Sequence, residues 1–179
     1  MAASTVTVQD LVQRNEEVAK THRPYPSFDE FRAMLMDLAH ILIITCADPR
    51  CSPENIFNIT PRDGIVVFRN ACGHVAPEME AIIALDIELG FDDIIIIHHT
   101  DCGTSRFTNQ QIRGILRERH PDNKEIETME FGAITDIEQS VRDDVALLKN
   151  SPFIRKELAG RTRGFVYDIK TGLLTPVKA

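Results

Sequence analysis

Residues 94–103 read IIIIHHTDCG. Four consecutive β-branched residues have no helical stripe, and the run is too short for a buried helix. It is predicted as the core of a strand covered on both faces, spanning 93–99. ILIITC at 41–46, IVVFRN at 65–70 and GFVYDI at 164–169 read the same way. TGLLTPV follows as a turn and a short edge strand, which Pro176 confines to the rim because proline cannot donate to a ladder.

Between these strands the apolar spacing becomes helical. PEMEAIIALDIELG at 77–90 is a helix stopped by Gly90, and 108–119 and 133–149 are two more. Ile134, Ile137, Val141, Val145 and Leu148 form the stripe of the last one. Residues 8–20 are an amphipathic helix, and HRPYPS at 22–27 breaks it with two prolines. Ser27 with Glu30 three residues on is a capping-box pattern opening FDEFRAMLMDLA. Unbroken apolar strands alternating with helices predict an α/β domain. Its sheet should hold about four parallel strands plus the short edge strand, flanked by helices.

The chain has 179 residues and a formal net charge of −7. That balance, with no long basic run, argues against a nucleic-acid surface. No apolar stretch approaches the roughly 20 residues of a membrane helix, and the N-terminus lacks the pattern of a secretory signal. The expected location is therefore cytoplasmic, where Cys46, Cys51, Cys72 and Cys102 are thiols or ligands and not a disulfide framework.

In open parallel sheets ligands bind beyond the carboxyl ends of the strands. Here those ends are TCADPR, RNACGH and HHTDCG, and all four cysteines lie in or beside them. Cys46 closes the first strand, and His99 with Cys102 closes the third. Two thiolates and one imidazole with a fourth position open is the donor pattern of a catalytic zinc, whereas structural zinc is closed by four ligands.

Cys46-Ala-Asp48-Pro-Arg50 and His99-Thr-Asp-Cys102-Gly resemble the zinc motifs of the β-class carbonic anhydrases. VVFRNACGH and the closing SPF…RGFVYDIKTGLL extend the resemblance over residues 27–177, to the compact branch that also includes carbonyl sulfide hydrolases. The resemblance implies Zn2+ held by Cys46, His99 and Cys102, with water or hydroxide completing the site. It implies that Arg50 holds Asp48, which orients the nucleophile for hydration of carbon dioxide, and that Asp48 can instead release Arg50 and close the zinc. Carbonyl sulfide, equally small and linear, is the alternative substrate on the same site. The branch further implies a homodimer or higher even oligomer, in which residues 1–26 form a helical arm and 27–179 the zinc-binding catalytic domain. RNACG departs from the family's usual Arg-Asn-Ala-Gly at Cys72, and Pro49 is a milder departure.

Other readings of the same residues are more ordinary. Strand alternation sends His98 and His99 to opposite faces. His99 is then the ligand, and His98 a packed, hydrogen-bonded core residue. His74 and His98 are weak candidates for a proton shuttle. Cys51 and Cys72 are read as small buried residues, Asp101 as a turn or capping residue, and Arg69 as architectural. A structural zinc with a fourth cysteine, or a cysteine nucleophile paired with His99, explains neither Asp48 nor Arg50.

Overall fold

The computed structural model describes residues 5–33 and 40–179, side chains of 31–33 and 62 aside. The backbone divides into two units, Met1–Asp37 and Leu38–Ala179. In the first, α1 (Val8–Ala19) starts at Thr7, whose hydroxyl accepts from Asp10 N while Asp10 accepts from Thr7 N. The predicted box at the next helix is also present: Ser27 N donates to Glu30 at 2.6 Å and Glu30 N to Ser27 Oγ at 3.3 Å. This helix, α2, is described over Phe28–Ala33, and its expected continuation falls on 34–39, outside the described residues.

The second unit is built on five strands: β1 (Ile41–Cys46), β2 (Val66–Asn70), β3 (Asp93–His99), β4 (Arg163–Tyr167) and β5 (Leu174–Val177). Their order is β2-β1-β3-β4-β5, parallel except for β5, which runs antiparallel to β4 at the edge. Pro176 lies in β5 opposite Phe165, on the rim as its chemistry requires.

Register places Leu42 beside Ile94 and Ile44 beside Ile96. All four are fully buried and join Val141, Val145, Leu148 and Leu158 in one core. Each such side chain contributes roughly 1.5–3 kcal/mol of burial, so the central pair of strands anchors the unit. The covering helices are α6 (Ile137–Asn150), which packs on β3 and β4, and α7 (Lys156–Arg161). α4 (Met79–Leu89) ends as expected on Gly90 in the left-handed conformation, φ 70.

Two local differences from the sequence reading have clear causes. α6 begins at Ile137, not at 133, because Asp136 takes the N-cap and accepts from Gln139 N. Ile134 is thereby released from the helix to pack beside Cys46, Cys72 and Cys102. The short helices α3 (Pro53–Ile56) and α7, of four and six residues, carry too little periodicity to have been recognised. α5 (Asn109–Arg119) matches its expected span, with Thr108 and Gln111 forming its cap.

Candidate metal centre and comparison with known proteins

Every predicted site residue lies at or just beyond the carboxyl end of β1 or β3. Cys46 is the last residue of β1, paired with Asn70 of β2. Beyond it, Pro49–Cys51 forms one 3-10 turn, with Pro49 pre-set for the first turn position. Asp48 caps that turn by accepting from Arg50 N at 2.9 Å. Arg69 of β2 fixes the same segment from below, donating to the carbonyls of Cys46 and Asp48 at 3.1 and 2.8 Å. The architectural reading of Arg69 is therefore given specific partners.

The β2 loop closes against this segment through Gly73, φ 86. A Cβ there would come within 2.7 Å of the Thr45 backbone, so only glycine fits. Asn70 ties the loop down by accepting from Gly73 N at 2.9 Å and donating to the His74 carbonyl at 2.8 Å. Cys72, immediately before, takes φ 72, a conformation that usually belongs to glycine. Its fully buried side chain packs with Cys46, Cys102 and Ile134.

Cys46, His99 and Cys102 are buried, and their donor atoms all lie within 4.8 Å of one another. His99 Nδ1 stands 2.9 Å from the Thr100 carbonyl, an acceptor only, so Nδ1 donates there and Nε2 is the nitrogen left for a metal. That Nε2 is fully buried without a hydrogen-bond partner. The Cys46 and Cys102 sulfurs are 3.9 Å apart. Two sulfurs about 2.3 Å from a tetrahedral zinc stand roughly 3.8 Å apart, so the donor set fits that ion. The Cys102 sulfur neighbour and burial push the Cys46 thiol up to about 12, while Cys46, Cys72 and other donors pull Cys102 down. A divalent cation held by both sulfurs must displace any proton they carry, since each binds as a thiolate. Thr104 Oγ1 at 3.2 Å and Asp48 N at 3.4 Å supply donors to Cys102 and Cys46.

Asp48 and Arg50 meet as a two-pronged pair. Arg50 Nε donates to Asp48 Oδ1 at 3.0 Å and Nη2 to Oδ2 at 2.6 Å. These bonds hold the Asp48 carboxyl at about 2, well below the usual carboxylate range. Asp48 Oδ2 lies 4.0 Å from His99 Nε2, beside the donor cluster. A cavity of about 280 Å³ opens on this loop, lined in part by His99, Cys102, Ile134 and Ile137.

His98 is core, as alternation requires, and faces α6. Its Nε2 is 3.1 Å from Asp144 Oδ2 but misaligned, and neither ring nitrogen has a hydrogen-bond partner. The expected hydrogen bond is off line: Asp144 Oδ2, 3.1 Å from His98 Nε2, accepts from His74 Nδ1 at 2.9 Å, while Oδ1 accepts from Val75 N at 2.9 Å. Cys72, His74 and His98 also bring donor atoms within 4.8 Å of one another. His74, however, faces Asp144 with Nδ1 and the Gly132 carbonyl with Nε2, at 2.9 and 3.2 Å. Both acceptors require a proton on the ring, so His74 is an imidazolium with no lone pair for a metal. Asp144 accordingly raises the His74 pKa.

That ion pair gives a pH prediction. A raised histidine pKa contributes stability that is complete below the unfolded value and is lost as pH rises through the folded value. Burial opposes ionisation of Asp144, but its bonds to His74 and Val75 prevail and hold it at about 2, so the pair also weakens in acid only near that value. Asp144→Asn should cost about 3 kcal/mol between pH 5 and 6. The deficit should shrink as pH rises past 7. Urea melts of both proteins across pH 5–9 check this, and a pH-independent deficit would contradict the assigned imidazolium.

With the geometry in place, comparison with known proteins is direct. The family profile described as carbonic anhydrase matches residues 41–174, which hold the whole donor cluster. The chain belongs to the β-class carbonic anhydrase family. It is 30% identical over 150 residues to β-carbonic anhydrase 1 of Mycobacterium tuberculosis, covering 77% of this chain and 82% of that protein. It is 29% identical to carbon disulfide hydrolase of Saccharolobus solfataricus, with 72% of each chain covered. The crystal structure of carbonic anhydrase from Streptococcus mutans superposes with a TM-score of 0.81 at 28% identity, over 98% of this chain and 100% of that one. The family is one of zinc-dependent enzymes, and hydrolases stand among the relatives of this chain. Among the described residues no helix is long and apolar enough to cross a membrane.

Proposed function

We propose that the protein hydrates carbon dioxide to bicarbonate, with Cys46, His99 and Cys102 as zinc ligands. The observation that carries the proposal is the buried, unpartnered His99 Nε2 facing two sulfurs 3.9 Å apart, with an ionised Asp48 beside it. Zinc bound there would supply the Lewis acidity that makes water a nucleophile near neutral pH. The chain's own residues do the rest. Asp48, acceptor-only, takes a hydrogen bond from the attacking water and aims a lone pair at the electrophilic carbon. Arg50 keeps Asp48 ionised and in place. Ile134 and Ile137 give the cavity an apolar wall suited to a small nonpolar gas. One C–O bond forms, one proton leaves to solvent, and bicarbonate is the product.

Hydrolysis of carbonyl sulfide is the second reading, and two observations favour keeping it. A carbon disulfide hydrolase is almost as similar to this chain as a carbonic anhydrase is. Cys72 also places a polarisable sulfur in the wall beside the ligands. Rates with carbon dioxide and carbonyl sulfide on one zinc-loaded preparation decide between them. Carbon dioxide should be turned over at least about a hundredfold faster, since 1.4 kcal/mol per tenfold makes that a difference of about 2.8 kcal/mol in barrier. The reverse order would transfer the assignment to carbonyl sulfide.

The assembly proposed with this activity is a cytoplasmic homodimer, or a higher even oligomer, with residues 1–26 as an arm. α1 carries Val8, Leu11, Val12 and Val18 exposed along its apolar side. Deleting residues 1–26 should weaken association in sedimentation at micromolar protein, and an unchanged oligomer would remove the arm from the proposal.

A further inference from the structure

Asp101 sits between two of the proposed ligands, in the His99-Thr-Asp-Cys102 loop, and the sequence reading takes it for a turn or capping residue. Its backbone does turn, at φ 55, but its side chain caps no helix. Instead Arg50 Nη1 donates to Asp101 Oδ2 at 3.0 Å, and Arg50 Nη2 to the Asp101 carbonyl at 3.1 Å. Arg106 Nη2 in turn donates to Asp101 Oδ1 at 2.6 Å. The Arg50 guanidinium is therefore held on two sides, by Asp48 across one edge and by Asp101 across the other. The two carboxylates come from the segments that follow β1 and β3, 53 residues apart in sequence.

We infer that Asp101 is a positioning residue for the Asp48–Arg50 pair, locking Arg50 in place so that Asp48 stays off the metal position. The geometry makes the lock necessary. Asp48 Oδ2 is only 4.0 Å from His99 Nε2, while neighbouring ligand atoms on a tetrahedral zinc stand roughly 3.3–3.8 Å apart. A small rotation of Asp48 would make it a fourth ligand, and Arg50 is what opposes that rotation. An arginine held by one carboxylate alone, half exposed, is a weak restraint. The second carboxylate and the carbonyl turn it into a network anchored in the ligand loop itself. A left-handed non-glycine backbone at 101 is the local cost of placing that carboxylate.

The inference rests on the zinc reading above, and its test separates the two. Cobalt(II) is loaded into wild type, Asp101→Gly and Asp101→Asn, and azide binding at the metal is followed by the visible d–d absorption. Glycine relieves the left-handed strain while removing the carboxylate, so Asp101→Gly should melt no lower than wild type yet bind azide roughly fivefold or more weakly, as Asp48 competes for the position. Asp101→Asn, which keeps an acceptor but no charge, should fall between and serves equally if glycine disturbs the loop. Adding Asp48→Ala to either variant should restore azide binding to the level of Asp48→Ala alone, a rescue that a merely structural role of Asp101 would not produce. Wild-type azide affinity in both Asp101 variants, or no rescue by Asp48→Ala, overturns the inference. If Arg50→Ala leaves azide binding unchanged too, the Asp48–Arg50 reading itself falls; if it weakens binding while the Asp101 variants do not, only the role of Asp101 falls.

Discussion

Cys46→Ala and Cys102→Ser are each expected to purify with almost no zinc and to lose carbon dioxide hydration by roughly three orders of magnitude or more. Each change removes one of three donors from a cluster that has no other partner for its imidazole: His99 Nε2 is buried and unpaired among the described atoms. Two ligands cannot define a tetrahedral site with one open position, and serine offers a hard oxygen that is not ionised near neutral pH. The fold should survive, because Cys46 and Cys102 belong to a small sulfur cluster separate from the main core on α6. Circular dichroism and zinc content measured on the same samples keep folding and metal binding apart. Cys72→Ala is the internal control. Cys72 packs against both sulfurs but stands outside the three-donor group, so that variant should retain one equivalent of zinc. Loss of zinc from Cys72→Ala would make the centre a closed four-ligand site, and a zinc-free Cys46→Ala that still hydrates carbon dioxide would end the metal reading.

The fold and this donor set share one cause, and that cause is why both were legible. Ile94–Ile97 can only be a doubly covered strand, and a doubly covered parallel strand delivers its last residues to the ligand-binding edge of the sheet. His99 is therefore placed by the isoleucines before it. What pattern could not supply were pairings across the chain that depend on backbone conformation. Asp101 reaches Arg50 because residue 101 adopts φ 55, which nothing in an aspartate announces. Asp144 reaches His74 from a helix 70 residues on, where it looks like one more polar position in the stripe. Cys72 was already marked by its place in a strand-end segment, whereas spacing gave no reason to read Ile134 as part of the site, since that needs a helix that starts late. The neighbouring Gly73 was a partial signal: a glycine directly after Cys72, just past the end of β2, marks close backbone approach.

Asp48→Ala carries the second large expectation, and its value lies in what it leaves intact. Zinc content should remain near one equivalent, because Asp48 lies beside the donor set and contributes no first-choice ligand. Turnover should nevertheless fall roughly hundredfold or more, the usual scale for removing a positioned proton acceptor or orienting group. The loss should fall on kcat and kcat/KM together, since carbon dioxide offers Asp48 nothing to bind in the ground state. Asp48→Asn discriminates further. It preserves shape, but its amide presents a donor as well as an acceptor, and Arg50 would face a neutral group where it now has 3.0 and 2.6 Å contacts to a carboxylate. It should lose nearly as much as alanine. Were Asp48→Asn close to wild type, a neutral acceptor would suffice and the charge held in place by Arg50 would be irrelevant to turnover. Were Asp48→Ala fully active with zinc bound, the nucleophile would need no orientation by this carboxylate, and the arginine beside it would be left with a purely architectural part in the turn after β1.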